Sequence, residues 1–221
     1  MTVDSLIDLQ PQLWKAAYET VYIVALTLLF GGLGGLLLGL ALYLTREGAL
    51  FANRVVFGVL NVVVNVFRPI PFIIFLAAAQ PLARAVVGTG VGNTAIIFTL
   101  SLAASLAISR IVEQNLLTVQ PGVVEAARAA GAGPFRIIGS IVLPEALGPL
   151  ILGYTFIFVA LVDMSAVAGY VGGGGLGAFA LLYGYRQFDP VVTWGAVLLI
   201  IVLVQLVQFL GNHLARRALR R

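Results

Sequence analysis

Residues 16–44 read AAYETVYIVALTLLFGGLGGLLLGLALYL, an apolar run with one charge, Glu19, near its start. About twenty such residues in helical form cross the hydrocarbon of a bilayer, whereas a barrel strand needs about ten. Inside lipid a backbone must satisfy its own hydrogen bonds, so helices or closed barrels are the available solutions. The length of this run selects the helix. Four more runs follow, and the composition agrees: 61% of the chain is hydrophobic and 10% is charged, against about a quarter charged in soluble domains. The expected architecture is an all-α membrane protein, one transmembrane domain over residues 1–221, with spans at about 16–44, 55–79, 93–112, 147–168 and 191–211. Gly31, Gly35 and Gly39 recur every fourth residue in the first span. Such a ladder of small residues lets another backbone approach, either within this chain or in a second subunit.

The second run is interrupted by Arg68-Pro69-Ile70-Pro71. Charge in the connections sets the orientation. One side receives Arg46, Arg54, Arg128, Arg136, Arg216, Arg217, Arg220 and Arg221, with Arg110 near the end of the third span; the other receives Lys15, Arg84 and Arg186. The basic side faces the cytoplasm, so the N-terminus is expected outside and the C-terminus inside. No cleavable signal is evident in residues 1–12, which hold Asp4 and Asp8 and no basic residue. The arginine-rich tail suits anionic headgroups of membrane lipids, and its position after a span speaks against a nucleic-acid partner.

The longest polar connection, residues 113–145, is cytoplasmic in this topology. It holds two helix-like pieces, 123–130 and 135–142, separated by Gly131-Ala132-Gly133-Pro134. Glycine accepts the left-handed conformation that ends a helix, and proline suits a first helical turn. Within it stand Glu125-Ala126-Ala127, then Gly131, then Ile141, Leu143 and Pro144. Glu125 and Arg128 are three apart on one helix and can pair; the small alanines let the helix lie close to another surface.

This spacing, E-A-A-x(3)-G-x(9)-I-x-L-P, resembles the signature loop of permease subunits in bacterial ATP-binding-cassette importers. Residues 65–72, 171–177 and 183–185 are similar to segments of methionine importer permeases, as are the chain's size and layout. The resemblance implies a type I importer permease fold in the bacterial inner membrane, with a cytoplasmic coupling helix. It implies a homodimer of this chain, two separate ATPase subunits, and an extracytoplasmic binding protein that delivers an amino acid, most simply methionine. Glu125, Ala126, Ala127, Arg128, Gly131, Leu143 and Pro144 would then couple the chain to the ATPase.

No phosphate-binding Gly-x-x-x-x-Gly-Lys-Ser/Thr occurs, and Lys15 is the sole lysine. ATP chemistry is therefore expected in a partner, and this chain is expected to be no enzyme. No cofactor is expected. The chain has no cysteine and one histidine, His213 beside the basic tail, which speaks against a metal centre or a hydrolytic triad. Gly172-Gly173-Gly174-Gly175-Leu176-Gly177 contains a formal G-x-G-x-x-G, but after a membrane helix rather than a strand. It reads as an irregular turn lining the path, or as a plain flexible loop.

Charge inside a span needs a reason, since insertion costs roughly 2.5–3.5 kcal/mol per residue. Arg68 faces the path, pairs with a carboxylate, or snorkels from the cytoplasmic interface. Asp163 falls well inside the fourth span, where the family has a neutral residue; it faces the path or pairs with a neighbouring helix. Met164, Ser165, Val167 and Tyr170 complete the candidate path, with ordinary packing as the alternative. Two rival functions remain open: a permease for another amino acid or small solute, and an ATP-independent secondary carrier, for which no internal repeat is found.

Overall fold

The computed structural model describes residues 4–219, without the side chains of Asp4, Ala168 and Tyr170. The described chain is helical. α1 (Asp4–Asp8) leads into α2 (Gln10–Thr45), and then come α3 (Arg54–Phe67), α4 (Phe72–Ala78), α5 (Gln80–Val87) and α6 (Gly92–Leu116). α7 (Pro121–Ala129) and α8 (Pro134–Ile137) precede the long α9 (Leu143–Ala168); α10 (Leu176–Phe179) and α11 (Pro190–Leu219) close the chain. Four helical stretches among the described residues are long and apolar enough to cross a membrane, and five if the bent pair α3–α4 is one span.

α2 and α6 form the centre of the bundle, and the glycine ladder is the reason. A Cβ on Gly31 would stand 2.8 Å from that of Ala104, one on Gly35 2.5 Å from that of Ile108, and one on Gly39 2.5 Å from the Ser109 carbonyl oxygen. The ladder therefore packs within the chain. Behind it lies the main core, with Ile23, Val24, Leu100, Ile108, Val112 and Leu161 buried between α2, α6 and α9. A half-buried tyrosine adds a tie: the Tyr154 hydroxyl of α9 donates to the Gly32 carbonyl of α2 at 2.7 Å. A smaller core gathers Leu13, Ala16, Leu176, Phe179, Val192 and Ala196, and holds α10 against the starts of α2 and α11.

Local chemistry explains the breaks. Asn53 caps α3, its side-chain oxygen accepting from Val55 and Val56 N–H at 3.1 Å each. Arg68 still has helical dihedrals, but α3 goes no further, because Pro69 offers no N–H to the ladder and its ring crowds the carbonyl four residues back. α4 then leaves at 106° to α3. α5, between the second and third expected spans, ends at Gly88 with φ of 79°.

One expected boundary is corrected. Residues 135–142 do not form a separate surface helix, and the fourth membrane helix does not begin at 147. Helix runs from Pro134 to Val167 without interruption, through a wide π turn over Ile138–Val142. Pro144 has no N–H for the Ser140 carbonyl and its ring crowds that oxygen. The turn widens instead of breaking, and Leu143 N–H reaches Ile138 O five residues back.

Candidate coupling elbow and translocation path

α7 is a nine-residue helix with Pro121 in its first turn. Two crossed bonds close it: Gly131 N–H donates to Arg128 O at 2.9 Å, and Ala132 N–H to Ala127 O at 3.0 Å. This is the left-handed cap that glycine serves best, and Gly131 has φ of 80°. Open space surrounds the place where its Cβ would be, so backbone conformation alone requires glycine there. The chain reverses through Gly133 and starts again at Pro134, making an elbow.

The elbow has two faces. Val124, Ala127 and Ala132 pack on the main core, and Ile137, Ile138 and Val142 anchor the returning arm as buried residues. Glu125, Ala126, Arg128, Ala129 and Gly131 are exposed; Leu143 is half-buried and Pro144 exposed. The expected Glu125–Arg128 ion pair is not among those formed by the described residues, which are Lys15–Glu19 and Arg110–Glu113. Both elbow charges stand in solvent instead, where pairing two long side chains brings little. Sequence reading passed over Phe135, which is 81% exposed beside the elbow and meets Phe51 with ring centroids 5.8 Å apart.

Of the candidate path residues, Asp163 is exposed although Leu161 and Val162 before it are buried. It points away from the chain's own core. Met164 and Val167 are half-buried, with Met164 against the main core. Ser165 is 5% exposed and donates its hydroxyl to Val162 O at 2.7 Å; it serves packing. Arg68 is exposed at the end of α3, where its own N–H closes the helix on Val64 O. The Tyr170 side chain lies outside the described residues, as do Arg220 and Arg221. His213, Arg216 and Arg217 are exposed on the last turns of α11.

The glycine-rich segment is tied down rather than slack. Gly174 N–H donates to Asn93 Oδ1 at 2.8 Å, Gly175 N–H to Glu19 Oε2 at 2.9 Å, and Leu176 N–H to Thr20 Oγ1 at 2.8 Å. A Cβ on Gly174 would run into the Glu19 carboxylate. Beside this clamp is a cavity of about 500 Å³ lined by Gln12, Lys15, Glu19, Asn93 and the glycines. Nearby Asp189 caps α11, accepting from Val191 and Val192 N–H at 3.0 and 3.2 Å. The Ser5 hydroxyl, donating to it at 2.7 Å, heads the causes that hold this carboxyl below its ordinary pKa, followed in the same direction by the two backbone N–H groups.

Two polar clusters went unrecognised in the sequence. Glu19 and Thr20 lie near the start of one span and Asn93 at the start of another; nothing in their spacing announces that they meet one loop from two helices. Arg110 and Glu113 did carry a signal, an i, i+3 charge pair within an otherwise apolar helix, but their partners Asn61 and Asn65 lie on another helix.

Comparison with known proteins accounts for this architecture. The family described as binding-protein-dependent transport system inner membrane component matches residues 31–220. A probable D-methionine transport system permease protein of Vibrio cholerae is 40% identical over 93% of this chain and 91% of its own length. The methionine import system permease protein of Bacillus subtilis is 38% identical over 91% of this chain and 90% of its own. A solved structure of the MetNI methionine transporter, in an inward-facing conformation, superposes with TM-score 0.92 at 38% identity, covering 96% of this chain and 98% of that one. An amino acid transporter structure at 17% identity shares the fold alone, with TM-score 0.81 over 98% of this chain and 99% of that one. The chain therefore has the type I ABC importer permease fold and belongs to the family of inner-membrane, non-catalytic transport subunits of binding-protein-dependent systems.

Proposed function

We propose that two copies of this chain enclose the path of a methionine importer driven by two separate ATPase subunits and supplied by an extracytoplasmic binding protein. The observation that carries this is the elbow: a glycine-capped helix, exposed along Glu125, Ala126, Arg128 and Ala129 and joined to the bundle by an unbroken helix. The ATPase seats on that exposed face, with Gly131, Leu143 and Pro144 fixing the angle at which the arm returns. From Pro134 to Asp163 the helix advances about 44 Å at 1.5 Å per residue, so movement of the elbow reaches the far half of the bundle with little loss. ATP-driven closure of the motor opens the path outward, and hydrolysis resets it. The N-terminus lies outside, the C-terminus inside, and the tail arginines rest among anionic headgroups.

Reconstitution of this chain with its ATPase and binding protein tests the reading. Methionine uptake should require ATP, and Gly131→Asp should abolish it while insertion is retained. Accumulation by the chain alone, without ATP, would establish a secondary carrier instead. Arg68, Asp163, Met164 and Val167 are the proposed path residues. An exposed carboxylate within an apolar span demands water or a partner, and this favours a second reading in which the cargo includes polar or cationic amino acids. Asp163→Ala should then narrow the range of amino acids taken up; an unchanged range assigns Asp163 to contact between the two copies.

A further inference from the structure

Arg110 and Glu113 lie in the last turns of α6, with side chains 14% and 5% exposed. Arg110 Nη1 donates to Glu113 Oε2 at 2.5 Å, while Nη2 donates to Asn61 Oδ1 and, at 2.8 Å, to Asn65 Oδ1. Asn65 Nδ2 donates in turn to Asn61 Oδ1 at 3.2 Å. The division of labour is clear from the geometry. Glu113 neutralises and aims the guanidinium through Nη1 on its own helix, and Nη2 then grips two amides one turn apart on α3. A charge pair largely withdrawn from water is a poor device for stability, since desolvation offsets its attraction, so its worth lies in fixing one arrangement.

What it fixes is informative. α6 ends three residues after Glu113, and the elbow helix begins at Pro121. Asn65 stands three residues before Arg68-Pro69-Ile70-Pro71, the break at which the chain turns by 106°. The cluster therefore bolts the root of the elbow to the broken helix.

We infer that Arg110, aimed by Glu113 and held by Asn61 and Asn65, is a positioning residue that makes α3 and its break follow the elbow during each ATP cycle. This rests on the reading of α7 as the seat of the ATPase. The test uses the reconstituted complex carrying Asn61→Leu/Asn65→Leu, which leaves the ion pair on α6 whole and removes its hold on α3. ATPase co-purification and ATP hydrolysis should stay within twofold of the parent chain, while methionine taken up per ATP hydrolysed falls at least tenfold. Asn61→Leu/Asn65→Asp returns one acceptor to Arg110 and should recover that ratio at least threefold over the double leucine variant. A parental ratio in the double leucine variant, or loss of the ATPase from its complex, overturns the inference. Should that variant fail to insert, Asn61→Ser and Asn65→Ser serve singly, and parental ratios in both overturn it equally. If the parent complex itself shows no ATP-dependent uptake, the functional reading falls rather than the bolt.

Discussion

Adding a single methyl group to each glycine of the α2–α6 seam should produce a graded loss of stability that the geometry ranks in advance. At Gly39 the new Cβ would sit 2.5 Å from the Ser109 carbonyl oxygen and 2.6 Å from Val112 Cβ. Carbon atoms pack best at about 3.5–4.0 Å, so the two helices must part by about 1 Å, and backbone on one side cannot turn away. Overpacking of this kind costs about 1–3 kcal/mol, and the rigid obstacle puts Gly39→Ala at about 2 kcal/mol or more. At about 2–4 °C per kcal/mol for a chain of this size, the melting temperature should fall by roughly 4–8 °C. Gly34 is a close control: its Cβ would meet Ser105 Cβ at 3.2 Å, a few tenths of an ångström too near, and Gly34→Ala should cost less than half as much. Gly58 has nothing within 4 Å, and alanine in a helix interior is better than glycine by about 0.5–1 kcal/mol, so Gly58→Ala should raise the melting temperature. Thermal unfolding of the detergent-solubilised protein, followed by Trp14 and Trp194 fluorescence, gives the order directly. Equal melting temperatures for Gly39→Ala and Gly34→Ala would refute the view that backbone approach along this seam holds the bundle.

Three further outcomes follow from local geometry. Gly131→Ala meets no neighbour and is opposed only by its left-handed backbone, worth about 1–2 kcal/mol, whereas Gly133, with φ of −70°, should accept alanine without loss; chemical denaturation of both variants checks the contrast. Tyr154→Phe removes the hydroxyl bonded to Gly32 O and leaves that carbonyl without it, so stability should drop by about 0.5–1.5 kcal/mol, measured by the same fluorescence melt. Asp189 has its folded-state pKa lowered, so its contribution is complete above the unfolded carboxylate pKa and disappears as pH falls through the folded value. Asp189→Asn should therefore flatten the acid limb of a stability-versus-pH curve and leave the limb above neutrality unchanged; an unaltered acid limb contradicts the assignment.

Much of the molecule was legible because its signals are local. Apolar length indicates helix in a bilayer, and proline and glycine mark where helices stop. The order Glu125-Ala126-Ala127, Gly131, Leu143-Pro144 is readable without coordinates, since a nine-residue helix and its cap are determined by neighbours in the chain. The π turn before Pro144 shows where this reasoning gave out: a proline reads as a boundary, yet here the ring only widens a turn that buried Ile137, Ile138 and Val142 keep helical. Glu125 and Arg128 show the opposite error, a pairing that spacing allows and solvent makes unnecessary.

Sequence alone thus determined the class of structure, the elbow and the absence of a phosphate-binding loop, because each depends on residues within one or two helical turns of one another. Tertiary structure decided which face each polar residue presents. Asp163 turns outward while Ser165 turns in; Glu19, Thr20 and Asn93 converge on Gly174–Leu176; Arg110 crosses to Asn61 and Asn65. Those outcomes are set by how helices rotate and slide as glycine seams close, and a helix's rotation against a distant neighbour is written in the packing of both.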